Sequence, residues 1–161
     1  MDTATALQKA EEILQPLAQE FKHPEADRVD VILAVENLKA AVKRLVEERL
    51  GYLVAITGLD VPAKPAAEGE TPQGSVDVMY HFAEGAAIIT LRVNVPYDAA
   101  VVPTVCDVLP AATLYERELI EMLGVTVEGT PVTDHLILPE DWPDGVYPLR
   151  KSFTGLKPQG A

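Results

Sequence analysis

Val76 to Val95 reads VDVMYHFAEGAAIITLRVNV. Two apolar runs, Val76 to Phe82 and Ala86 to Val95, flank the short link Ala83-Glu84-Gly85, and in the first of them Val76, Val78, Tyr80 and Phe82 occupy alternate positions. Successive side chains of an extended strand point to opposite faces, so this alternation is that of a strand with one buried side. Such a link between two strands is that of an antiparallel hairpin. Tyr52 to Leu59 is a third strand-like run just upstream. Asp60 to Gly74 (DVPAKPAAEGETPQG) separates it from the hairpin and reads as an exposed, mobile loop to which no function is assigned.

Further toward the N-terminus, Arg28 to Val35 (RVDVILAV) is β-branched and apolar, and Asn37 is placed to cap a helix running to about Leu50, with Gly51 at its left-handed end. Leu38, Ala41, Val42, Leu45 and Val46 form the apolar stripe of that helix. Lys43 with Glu47 and Arg44 with Glu48 are spaced for ion pairs on its wet side. Thr3 to about Lys22 has Leu7, Ala10, Ile13, Leu14, Leu17 and Phe21 at helical spacing, which predicts an amphipathic helix. Pro16 lies inside it and predicts a kink or a restart.

Downstream of the hairpin, Pro103 to about Leu109 predicts one short helix and Ala112 to Leu123 a second, stopped by Gly124. The remainder holds Pro131, Pro139, Pro143, Pro148 and Pro158, a spacing that defeats long helices and central strands. The expectation is an α+β fold: a domain over 1–124 with a mostly antiparallel sheet covered by helices on one side, and a proline-rich extended C-terminal arm over 125–161 for partner contact.

The 161 residues include 13 Lys and Arg against 25 Asp and Glu, a net charge of −12. A phosphate backbone is bound through clustered cations, so no nucleic-acid partner is expected. The longest apolar stretches, Tyr52 to Ile56 and Ala86 to Leu91, are far short of the roughly 20 residues that cross a bilayer, and from the polar, acidic N-terminal stretch no signal peptide is expected. A cytoplasmic chain without its own membrane span is expected. With 48% hydrophobic residues it has the material for a core.

The single cysteine, Cys106, lies between Val105 and Val108 and reads as a small buried hydrophobe. His23, His81 and His135 have no spacing that sets two on one helix face, so no metal is expected. Neither Ser75 nor Ser152 lies in a nucleophile elbow, and no glycine cluster has the layout of a phosphate cradle. Glu116, Glu118 and Glu121 are close in sequence, but Glu116 and Glu118 are about 200° apart on a helix and cannot share an acid–base site. Arg117 and Glu121 are spaced to pair, giving a salt-bridged helix. Leu138 to Phe153 (LPEDWPDGVYPLRKSF) gathers Trp142, Tyr147, Arg150 and Lys151, residue types that anchor interfaces, on a proline-stiffened segment.

Tyr115 to Phe153 resembles the 30 kDa subunit family of respiratory complex I, the C-type subunit of NADH:quinone oxidoreductase. The resemblance rests on Glu116-Arg117-Glu118, the acid at Glu121, the apolar pair Met122-Leu123 before Gly124, Gly129 with Pro131, then LPEDW and PLRK in that order. Thr130 and Asp134 depart from the family's pattern, which usually has a basic residue after the glycine and Lys, Arg or Pro before the apolar pair Leu136-Ile137. The same family includes subunits of membrane-bound, energy-converting nickel–iron hydrogenases and formate hydrogenlyase-like complexes, and Met122 to Val125 is similar to that branch.

The resemblance implies a structural subunit with no catalytic residues and no cofactor or metal of its own. It would lie in the peripheral arm of a proton-pumping NADH:quinone oxidoreductase, against the large 49 kDa-type catalytic subunit and its neighbours, on the cytoplasmic face of the cell membrane. The implied contact residues are Glu116, Arg117, Glu118, Glu121, Gly124, Trp142, Tyr147, Arg150 and Lys151. The equivalent subunit of a hydrogenase complex and a free-standing adaptor with this fold are the alternatives, and a lone enzyme using the three glutamates is disfavoured for want of a nucleophile or metal.

Overall fold

The computed structural model describes residues 1–64 and 73–156. The hairpin forms as the alternation requires: β4 (Ser75–Glu84) and β5 (Ala87–Pro96) are antiparallel, with Tyr80 opposite Leu91 and Phe82 opposite Ile89. β3 (Tyr52–Val61) pairs antiparallel with β4 on the outer side. β2 (Arg28–Leu33) lies parallel to β5, and β1 (Ala18–Lys22) closes the other edge antiparallel to β2. The sheet order is therefore β1-β2-β5-β4-β3, mixed but mostly antiparallel.

One face of this sheet is apolar. Val29 and Val31, Leu91 and Val93, Val78 and Tyr80 are all buried there, under α1 (Thr3–Leu14) and α2 (Leu38–Glu47) at the β2–β5 end. α3 (Ala112–Leu123) packs against β3 at the other end. The opposite face is polar: Arg92 bridges Asp30 at 2.8 Å and Asp77 at 3.0 Å, and His81 joins Thr57 at 2.9 Å to Thr90 at 3.1 Å.

Three local expectations are corrected. The first helix ends at Leu14, capped at its start by the Asp2 carboxylate on the Thr5 amide. Pro16 has no N–H to offer a continuing helix, the chain turns, and Ala18–Lys22 becomes a strand because β2 presents an open edge to it. Asn37 does not cap α2; its amide nitrogen donates to the Leu17 carbonyl, a 3-10 turn over Val35–Asn37 leads in, and the helix stops at Glu47. The helix expected at Pro103 to Leu109 is replaced by β6 (Val101–Pro103) followed by turns, because β6 pairs parallel with β7 (Thr126–Glu128) across α3.

Lys43 and Glu47 pair at 3.6 Å as spaced, whereas Arg44 donates to the Ile13 carbonyl and Glu48 meets Lys9, tying α2 to α1. Asp60 and Val61, expected in the loop, are the end of β3. Most of that loop, residues 65–72, and the tail 157–161 with Pro158 lie outside the described residues. From Gly129 to Leu156 the chain runs through turns at Pro139, Pro143, Tyr147 and Arg150, without helix or ladder strand.

Candidate functional site

α3 and the arm

α3 begins after Pro110 and ends where Gly124 turns left-handed, at φ +66°. Leu119 and Leu123 face β3, and the approach is close enough that a Cβ on Gly58 would collide with the Leu123 side chain. The remaining faces of the helix divide its charged residues among three neighbours.

Glu116 points inward. Expected at a contact surface, it is fully buried, because Thr104 Oγ1 donates to its carboxylate at 2.8 Å, the Val105 amide at 2.8 Å and Cys106 Sγ at 3.1 Å. Its work is to hold the turn after β6 against α3. Cys106 is buried as its apolar neighbours suggested, and it is also a hydrogen-bond donor. Burial pushes the thiol above its ordinary range, Thr104 pulls the other way and the Glu116 carboxylate adds to the rise, so the sulfur keeps its proton. Tyr80 Oη lies buried nearby with no partner among the described residues, and burial, reinforced by Glu116 and Cys106, raises its pKa so that the phenol stays neutral.

Arg117 and Glu121 do not pair with each other. Arg117 donates to the Asp134 carbonyl at 2.9 Å and the His135 carbonyl at 2.7 Å. One turn along, the Glu121 carboxylate accepts from the amides of Leu136, Ile137 and Leu138 at 3.0, 2.9 and 3.2 Å. Each charge finds backbone of matching polarity, and charge-assisted bonds of this kind are roughly twice as strong as neutral ones. The five residues 134–138 are thereby fixed along one flank of α3.

The arm then passes the end of the helix and returns along the other flank. The Tyr147 ring covers Gly124 so closely that no Cβ would fit there. The Leu149 amide donates to the Met122 carbonyl at 3.0 Å and Arg150 Nε to the Leu123 carbonyl at 2.6 Å, satisfying acceptors that a helix end leaves open. Arg150 also lies 4.2 Å from the centre of the Tyr97 ring and 3.2 Å from Asp60. Asp60 further accepts from Tyr97 Oη at 2.5 Å and from the Lys151 amide at 2.9 Å. Burial alone would raise the Asp60 pKa, but these hydrogen bonds and the Arg150 charge outweigh it and hold the carboxyl below its ordinary value.

Trp142 is half-buried between the two limbs: its Nε1 donates to the Val146 carbonyl at 2.7 Å and its ring lies 6.2 Å from that of Phe153. A cavity of about 280 Å³ opens between Ile120, Glu121, Gly124, His135, Trp142 and Tyr147. Glu118 lies apart, on the flank facing Thr57, Gly58 and Leu149. Of the nine residues marked by sequence, Arg117, Glu121, Gly124, Trp142, Tyr147 and Arg150 meet around α3 and the arm, Lys151 joins through its backbone, and Glu116 and Glu118 face elsewhere. Asp60 and Tyr97 were missed. The available signal was the inward alternation Ile56, Gly58, Asp60, which sets a carboxylate on the apolar face.

Among the described residues no three His, Cys, Asp or Glu side chains converge as metal ligands, and no helix is long and apolar enough to cross a membrane. What this arrangement does is hold a shaped segment rigidly against a helix.

The family described as "Respiratory-chain NADH dehydrogenase, 30 Kd subunit" matches residues 31–159, which takes in most of the sheet, α3 and the arm. The chain belongs to that family. Relatives of this 30 kDa-family chain include hydrogenase and NADH-quinone oxidoreductase subunits. Hydrogenase-4 component G of Escherichia coli (strain K12) is 29% identical over 161 residues, covering 94% of this chain and 28% of that protein. The C/D subunit of NADH-quinone oxidoreductase from Gluconacetobacter diazotrophicus is 33% identical over 124 residues, 74% of this chain and 20% of that one. Among solved structures, a chain from the membrane-bound sulfane sulfur reductase, an archaeal respiratory membrane complex, superposes with a TM-score of 0.72 at 25% identity, over 92% of this chain and 85% of that chain. The 30 kDa-family chain spans 39% or less of the length of several curated relatives that it matches.

Proposed function

We propose that this chain is a structural subunit of the peripheral arm of a membrane-associated complex I-type NADH:quinone oxidoreductase, with no catalytic residues of its own, and that α3 and the arm pack against the large catalytic subunit. The observation that carries this reading is the relative whose name joins C and D, in which a region like this one makes up 20% of a longer chain. Two units joined covalently in one protein are expected to meet as separate chains in another. The chain would sit on the cytoplasmic face of the membrane, attached through its partners. By burying their surface it would keep redox centres held by other subunits in register.

A second reading, the equivalent subunit of a membrane-bound hydrogenase complex, is favoured by the match to Hydrogenase-4 component G across 94% of the chain. One purification separates the two. The tagged chain is withdrawn from gently solubilised native membranes, and the eluate is assayed for a large subunit, for nickel and for quinone reduction. A large subunit without nickel but with quinone reductase activity supports complex I, and one with nickel and hydrogen-dependent electron transfer supports the hydrogenase. Elution of the chain alone would sink both and leave a free-standing adaptor.

A further inference from the structure

Leu136 and Ile137 are 39% and 58% exposed, although both are large and apolar. They sit on a segment with no regular secondary structure, yet its backbone is held at five consecutive residues, by Arg117 on the carbonyls of Asp134 and His135 and by Glu121 on the amides of Leu136, Ile137 and Leu138. His135 Nδ1 closes the turn on the Pro139 carbonyl at 3.0 Å. Ordering a loop before it meets a partner removes a cost that association would otherwise bear, and exposed apolar side chains on a rigid support are what such preorganisation presents. On the same stretch of chain Asp134, Glu140, Asp141 and Asp144 are exposed, and each stands outside the ion pairs formed among the described residues.

We propose that the Leu136-Ile137 turn is a contact knuckle that inserts into an apolar groove rimmed by Arg or Lys on the adjoining large subunit, with Arg117 and Glu121 as its anchors on this side. This inference rests on the structural-subunit reading. The acids of this segment select the occupant: they attract a basic protein surface and are repelled by an anionic lipid surface.

The test uses the full-length tagged chain in its native membranes and reads the molar ratio of large subunit to tagged chain after gentle solubilisation. Ile137→Asp should lower that ratio by about tenfold or more, the scale of a central contact residue, and Ile137→Ala should lower it by less. Asp134→Lys should lower it several-fold at low salt, with the difference fading as salt screens these charges. Because these side chains are exposed, each purified variant should melt within about 2 °C of the wild type. A wild-type chain that captures the large subunit while Ile137→Asp captures it equally well would overturn the knuckle and leave the subunit reading standing. A wild-type chain that captures no large subunit would overturn both.

Discussion

Asp60 sits near the end of β3 on the apolar face of the sheet, and Tyr97, Arg150 and the Lys151 amide all converge on its carboxylate. Removing the charge leaves Arg150 without its partner in a largely buried site, and Asp60→Asn is expected to cost about 3 kcal/mol, read from urea unfolding at neutral pH. The pH dependence has a definite sign. A carboxyl whose pKa is depressed by folding stabilises fully above its unfolded value of about 3.9, and that stabilisation is lost as pH falls through the folded value. Acid unfolding of the wild type should therefore contain a component below about pH 5 that Asp60→Asn lacks. Gly124→Ala tests the same returning limb at Tyr147. It adds a Cβ at φ +66° beneath the Tyr147 ring and should cost about 2 kcal/mol in the same assay.

At the scale of elements, α3 distributes its acids by face: Glu116 to the turn after β6, Glu121 to the arm, Glu118 toward β3 and Leu149. Glu121→Ala should release the amides of Leu136 to Leu138, and their hydrogen exchange should rise by about tenfold or more while exchange within α3 stays near wild type. Equal acceleration throughout α3 would show that the helix and arm unfold together. The bounds of α3 were legible because periodicity and Gly124 state them locally. The hairpin was legible from its alternation, but its link is Gly85-Ala86 and not Ala83 to Gly85, since Ala83 and Glu84 pair with Ile88 and Ala87. β1 was not, since Leu17 and Phe21 fit a helical spacing and only the distant edge of β2 decides for a strand. β6 is three residues long, too short to show an alternation. The Arg117–Glu121 pair expected from spacing does not form because the real partners lie 15 to 18 residues downstream of each side chain, where no local pattern reaches. The arm's aromatic and basic residues were legible as anchors, but Asp60, the group on which Arg150 and Lys151 close, belongs to a distant strand.

For the whole molecule, the two broad surfaces differ in chemistry. The open face of the sheet is laced by the Asp30–Arg92–Asp77 and Thr57–His81–Thr90 bonds, with Tyr52 and Leu59 exposed along its β3 edge. The α3 and arm side presents Ile137 and Leu149, each more than half exposed, beside the half-buried Trp142. A structural subunit would meet its large partner through the second surface. Hydroxyl-radical footprinting of the chain within the purified membrane complex, compared with the chain alone, tests this most directly. The account predicts that Ile137, Trp142 and Leu149 are labelled several-fold less in the complex, while Met79 and His81 on the open face are labelled as before. Protection of Met79 and His81 with unchanged labelling of Ile137, Trp142 and Leu149 would contradict it.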